Sequence, residues 1–239
     1  MEPISTHISR QFNAELEEIR SRVLQMGGLV EQQIDQALNA LVRGDTALGE
    51  AVIMDDTKVN KLEVTIDEEC QHILARRQPA ASDLRLVVAV IKTITDIERI
   101  GDEAEKIARM AVRLAGEERP RSNYAEIQAL GNHVRQMVHD ALDAFARVDI
   151  EAAIRIAQED RKVDQQYEAV MRQMITFMME DPRTISRVLN VIWAARALER
   201  IGDHASNICE YIIYLVKGKD VRHTSLEQIE KEILGRERR

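Results

Sequence analysis

Two five-residue segments, Glu98-Arg-Ile-Gly-Asp102 and Glu199-Arg-Ile-Gly-Asp203, each set a glutamate and an aspartate four residues apart. On a helix such a pair points the same way, one turn apart. Like charges at that spacing repel by roughly a few tenths of a kcal/mol, so the helix itself gains nothing from them. Carboxylate oxygens are ligands for hard cations and for iron, and two carboxylates one turn apart can share or bridge metals. Glu98, Asp102, Glu199 and Asp203 are therefore candidate metal ligands, set against the plainer reading of a solvated acidic face. Glu105 extends the first stripe, and Glu210 lies further along the second.

Asp56 and Asp160 are weaker candidates. Each falls beside an apolar seam position, between Val52 and Val59 in one case and between Ile156 and Val163 in the other. A carboxylate so placed needs a partner, either a cation or a nearby Lys or Arg. Gly101 and Gly202 sit inside helical pattern, where glycine costs about 1 kcal/mol relative to alanine. A close approach is expected at both, by a neighbouring helix or by whatever the adjacent aspartate binds. Gly27-Gly28 reads as helix packing.

Other chemistry is thin. Glu69 and His72 form a Glu-x-x-His of the kind used in carboxylate-bridged di-iron bundles, but the equivalent positions of the second half are Gln173 and Thr176. His7, His133, His139, His204 and His223 are scattered and read as surface or capping residues. The chain has no Gly-rich phosphate loop and no nucleophile elbow. Met171, Met174, Met178 and Met179 fit a helix core, with a soft contact surface as the alternative.

The elements that must hold these residues are long helices. The 239 residues are 45% hydrophobic but include only three Phe, one Trp and four Tyr, and only ten Gly and four Pro. That composition opposes sandwiches and barrels, which need aromatic or β-branched strands and frequent turns. Breaks at Gly44-Asp45, Pro79, 116–122, Val148-Asp149, Asp181-Pro182 and Gly218 leave six long segments. The first carries Phe12, Leu16, Ile19, Val23, Met26, Val30, Ile34, Leu38 and Leu41, in the three- and four-residue steps of an amphipathic helix. In the third, Leu86, Val90, Ile97, Ile100, Ala104, Ile107 and Leu114 form the core face. A second stripe, Leu84, Val87, Ile91 and Ile94, turns acidic at Glu98.

An internal repeat fixes the architecture. A shift of 104 places Leu38 over Leu142, Asp56 over Asp160 and Val59 over Val163, and a shift of 101 aligns the two Glu-Arg-Ile-Gly-Asp segments. The expected fold is all-α: two tandem homologous three-helix bundles related by a pseudo-two-fold axis, spanning 1–118 and 119–239. A short seventh helix is expected from Ser225 to Arg236.

A net charge of −8 argues against nucleic acid as a partner. No secretory signal is expected from residues 1–10, and no apolar stretch approaches the roughly 18 residues that cross a bilayer. Cys70 and Cys209, without CxxC companions, read as packed thiols of a cytosolic protein.

Two three-helix repeats, each with Glu-Arg-Ile-Gly-Asp on its third helix, resemble the PhoU family of phosphate-transport accessory proteins over nearly the whole chain. The resemblance implies a cytoplasmic, usually dimeric, non-enzymatic adaptor. Such an adaptor couples the ATPase of the Pst phosphate ABC transporter to a PhoR-type sensor histidine kinase, and represses the phosphate-starvation response when phosphate is plentiful. It would meet the membrane only through those partners. The resemblance also implies metal clusters, of iron or of another cation such as Zn, Mn or Mg, on E(D)xxxD motifs that match Glu98 and Asp102, and Glu199 and Asp203. One departure is visible: Asp83-Leu84-Arg85 opens the third helix, whereas Thr184-Ile185-Ser186 opens the sixth. A carboxylate-bridged metalloenzyme is the alternative reading.

Overall fold

Six helices account for the architecture of the computed structural model, which describes residues 4–115 and 124–222 together with 224, 228 and 235. They are α1 (Ile4–Arg43), α2 (Thr46–Arg77), α3 (Ala81–Arg113), α4 (Ala125–Arg147), α5 (Ile150–Glu180) and α6 (Ile185–Lys217), with a 3₁₀ turn at Pro182–Thr184 before the last. No strand occurs among the described residues. The junction expected near 118–122 lies outside them, and so does almost all of the expected seventh helix over 225–236.

The breaks work as the sequence suggests, and they work twice. Asp45 caps α2 by accepting from the Leu48 amide at 3.0 Å, and Asp149 caps α5 by accepting from the Ala152 amide at 2.9 Å. Gly44 precedes the first cap at φ 75°, a left-handed conformation that suits glycine. Val148 must adopt φ 55° at the equivalent place, a conformation that β-branched residues rarely accept.

In each repeat the three helices pack around apolar stripes, and one continuous core joins both repeats. The junction is made by α1 against α4 and by α3 against α6. Its α1–α4 part is reciprocal. A Cβ on Gly27 would lie 2.7 Å from Leu142, and a Cβ on Gly131 would lie 2.7 Å from Leu38. Both the glycines and the leucines are related by the 104-residue shift, so each repeat sets the same leucine against the other's glycine. The pseudo-two-fold is visible in this pair of contacts. Gly28 differs from its neighbour and from the expectation: a Cβ there would meet nothing within 4 Å, and no packing partner requires the glycine.

This contrast yields a test. Gly28→Ala should raise stability by up to about 1 kcal/mol, the helix-propensity gain. Gly27→Ala and Gly131→Ala should each lower it by about 1–3 kcal/mol, because the added methyl overpacks a buried leucine. Urea unfolding midpoints of the three variants decide the matter, and equal shifts for Gly27 and Gly28 would contradict the packing described.

Candidate metal centres

The two acidic stripes face the preceding helix of their own repeat, and the glycine of each motif controls how closely that helix comes. A Cβ on Gly101 would sit 3.4 Å from Asp56 Oδ1, 3.2 Å from Gln33 Oε1 and 3.5 Å from Val59. On Gly202 it would sit 3.6 Å from Asp160 Oδ1 and 3.1 Å from Val163. Of the two readings of these glycines the helix approach is observed, and the approaching helix carries the seam aspartate to the acidic stripe.

In the first centre Asp56 is buried and accepts from Asn60 Nδ2 at 3.1 Å and from Gln33 Nε2 at 3.5 Å. Its polar partners are amides, not the Lys or Arg that a seam acid commonly finds. Burial raises its pKa, and the nearby Glu105 and Asp102 charges raise it further against the two amide donors. Glu98 is likewise raised, by burial and then by Asp102, Glu63 and Asp56. Glu105 is tied to Arg109 on its own helix.

The second centre gathers Asp160 and Asp164 of α5 with Glu199 and Asp203 of α6. Burial, then Asp203 and Asp164, push Asp160 up to about 6. Burial and Asp203 push Glu199 up to about 7, although Arg196 pairs with its Oε1. Asp203 is raised by burial and by Asp164. Glu210 stands apart, pushed up to about 7 by burial and by Asp220.

Oxygen donors without partners converge on the same places. Asp160 Oδ1, Glu199 Oε2, Gln33 Oε1 and Asn60 Oδ1 are all buried and make no hydrogen bond among the described residues. Such atoms carry a desolvation cost that a coordinated cation would offset. The all-oxygen donor set therefore fits a hard cation or iron. Among the described residues, however, no three His, Cys, Asp or Glu side chains already meet at one point in metal-holding geometry. A cation would have to draw the carboxylates together.

Some residues read differently in the fold. His204, expected at the surface, is buried between the repeats, where its Nδ1 lies 2.7 Å from Asp96 Oδ1. Asn207 Nδ2 donates to the same oxygen at 3.1 Å, and the Tyr211 hydroxyl donates to Oδ2 at 2.7 Å. Burial alone would raise the Asp96 pKa, yet the His204, Tyr211 and Asn207 donors together hold it below the usual carboxylate range. Asp96 and the buried Glu103 lie on the stripe Ala89, Thr93, Asp96, Ile100, Glu103, Ile107, so acids on an apolar seam were the available signal. Glu69 is engaged by Arg22 at 3.2 Å and, with His72, lines a groove of about 410 Å³ between α1 and α2. Cys70 and Cys209 are buried free thiols, and burial pushes Cys70 up to about 12. Met174 is in the core as expected, while Met179 is exposed.

The electrostatics give a pH dependence of defined sign. A carboxyl whose folded pKa is raised contributes stability that is complete below its unfolded value of about 4 and is lost as pH rises through the folded value. Asp160 and Glu199 should therefore make the metal-free protein less stable at pH 8 than at pH 5. Asp96, shifted the other way, contributes only above its unfolded value and loses its contribution in stronger acid. Urea unfolding in chelator at the two pH values should show the loss, and the pair Asp160→Asn, Glu199→Gln should flatten it. An unchanged slope in that variant would contradict the assignment.

Comparison with known proteins gives this arrangement a context. The PhoU domain family matches the chain twice, at residues 23–111 and 127–212. The phosphate-specific transport system accessory protein PhoU homolog of Pseudomonas putida is 55% identical over 234 residues, covering 98% of this chain and 91% of that protein. PhoU of Escherichia coli K12 is 51% identical over 234 residues, 98% of this chain and 97% of that one. The crystal structure of PhoU from Pseudomonas aeruginosa aligns with a TM-score of 0.84 at 55% identity, over 87% of this chain and 100% of that chain. That of the phosphate transport system regulatory protein PhoU from Streptococcus pneumoniae aligns at 0.82 and 32% identity, over 88% and 99%. With the domain matched twice and half the residues identical across nearly the whole length, the chain belongs to the PhoU family.

Proposed function

We propose that the chain is a cytoplasmic negative regulator of phosphate uptake and phosphate-starvation signalling. It acts as a non-enzymatic adaptor between the ATPase of the Pst phosphate ABC transporter and a PhoR-type sensor histidine kinase, and it works as a homodimer. The observation that carries this reading is the doubled PhoU domain at 51–55% identity to proteins named as accessory proteins of phosphate-specific transport. Those names favour an adaptor over a carboxylate-bridged metalloenzyme, and the Glu69–His72 pair has only Gln173 and Thr176 at the equivalent positions of the second repeat. No helix among the described residues is long and apolar enough to cross a membrane, which agrees with reaching the transporter through its ATPase.

In this reading Glu98, Asp102 and Asp56, with Glu105, would hold a cation in the first repeat, and Glu199, Asp203 and Asp160 would hold one in the second. The bound cation supplies the positive charge that lets opposed carboxylates approach. The chain's own part is to keep α2 beside α3 and α5 beside α6, so that the outer helix faces stay rigid enough to dock a partner. One such face lies on α6, where Ile185, Leu189 and Trp193 recur one turn apart and are exposed, Trp193 by 63%; Ile175 and Met179 are exposed one turn apart near the end of α5.

Removing the gene should derepress a starvation-induced phosphatase in phosphate-rich medium, and the wild-type chain should restore repression. The purified chain should capture the kinase and the transporter ATPase, and continued repression without the gene, or capture of neither protein, would overturn the adaptor reading. The variants Leu189→Glu and Trp193→Glu should weaken dimer formation or partner capture by roughly tenfold, since buried aromatic anchors dominate interfaces. Their melting temperature should stay near the wild-type value. Sedimentation velocity and pull-down measure these outcomes, and undiminished association in both assays would show that this face is not used.

A further inference from the structure

The two acidic centres descend from one repeat, yet the residues around them have diverged in a consistent direction. At the position of Thr95 in the first repeat the second has Arg196; at the position of Glu63 it has Tyr167. Gln33 and Asn60 of the first centre correspond to Met137 and Asp164 of the second. Gln33 is itself only 4% exposed, and its Oε1 has no partner among the described residues. The first centre therefore keeps two uncharged amides beside its acids, each donating an N–H to Asp56 and each with an oxygen that finds no partner among the described residues. The second has exchanged them for a thioether and a further acid, and has acquired a cation of its own.

Arg196 lies over the Tyr167 ring, 5.8 Å from its centre, and pairs with Glu199. The Glu199 side chain is 10% exposed and the Arg196 side chain 46%. The carboxylate cannot leave its place, whereas the guanidinium can swing into water at little solvation cost. The comparable cations of the first repeat are placed otherwise. Arg109 is committed to Glu105, and Arg99 is exposed and acts on Glu98 and Glu63 only through space. Arg200, the counterpart of Arg99, pairs with Glu103 at 3.1 Å.

Building on the metal reading above, we propose that the two centres are unequal: Arg196 serves the second as a tethered, displaceable cation, so an external cation fills the first centre first and enters the second only by expelling Arg196 from Glu199. A metal ion drawn to the unpartnered Glu199 Oε2 and a guanidinium on Oε1 would be two cations on one buried carboxylate, and they repel. Losing one charge-assisted hydrogen bond lowers affinity by roughly tenfold or more. Displacement would also lift Arg196 from Tyr167 and move charge beside Trp193, about one turn away.

Full-length protein freed of metal should be titrated with Mn²⁺, following heat of binding and the fluorescence of Trp193, the chain's one tryptophan. The centres are isolated by substitution, with Glu199→Gln, Asp203→Asn leaving the first and Glu98→Gln, Asp102→Asn leaving the second. The first should bind at least roughly tenfold more tightly than the second. Arg196→Thr, which installs the first repeat's residue, should strengthen the second centre by a similar factor and change the tryptophan response. Arg196→Gln, which keeps most of the side chain's length, should do the same. Equal affinities in the two isolated centres, or an unchanged second centre in both Arg196 variants, would overturn the proposal while leaving the metal reading intact. No heat of binding in any form of the protein would remove both.

Discussion

Both acidic centres depend on two aspartates, Asp56 and Asp160, placed on helix seams with no ion pair to a Lys or Arg among the described residues. A buried carboxylate that lacks a cation costs several kcal/mol unless it is hydrogen-bonded or neutralised. Asp56 reduces that cost with two amide donors, and Asp160 leaves one oxygen with none. The glycines at 101 and 202 make these positions possible, since a side chain on either would meet the opposing helix at 3.1–3.6 Å. Each glycine sits between the acids of its motif and just behind them. The close approach and the acidic stripe are thus one device, in which the helix gives up stability to bring a third carboxylate up to the other two.

The same economy governs how the repeats join. The reciprocal fit of Leu38 against Gly131 and Leu142 against Gly27 fixes the crossing of α1 and α4 with only two residue types. The α3–α6 contact has lost such symmetry. His204 corresponds to Glu103, and Asn207 to Lys106, so on one side Asp96 collects three donors, while on the other Glu103 is held by Lys106 and Arg200. A buried acid satisfied by three donors contributes less to net stability than to uniqueness, because any slip along α6 would strand it.

Long helices, their breaks, the duplication and the acidic stripes were legible in the sequence because each leaves a pattern along a single helix or across a fixed shift. Gly44-Asp45 and Val148-Asp149 announce themselves as breaks, and the segments that begin at Glu98 and Glu199 align without gaps. Contacts between helices leave no such trace. Nothing local to His204 says that Asp96 of another repeat lies opposite, and the adjacent glycines 27 and 28 look alike until Leu142 is seen beside one and open space beside the other. Gln33 is hard to read for a related reason. A single polar residue on an apolar stripe looks like noise until the acid that it faces, 23 positions away, is located.

Helix α3 carries the acids of the first centre on one side and Asp96 on another. Residues 96 and 98 are two positions apart, which is about 200° around a helix, so the two groups point in nearly opposite directions. Asp96 is pinned by His204, Asn207 and Tyr211, and a rigid-body shift of α3 would have to break those bonds. Glu98 and Asp102, which make no such bonds to a neighbouring helix among the described residues, can move by side-chain rotation alone. The cheapest response to a change of charge at the first centre is therefore a rearrangement of its acids upon a stationary helix. In the second centre the corresponding freedom belongs to Arg196, whose exposed guanidinium stands beside a buried carboxylate. The interior of the junction thus holds the two centres at a fixed separation, and the side chains facing solvent are left to respond.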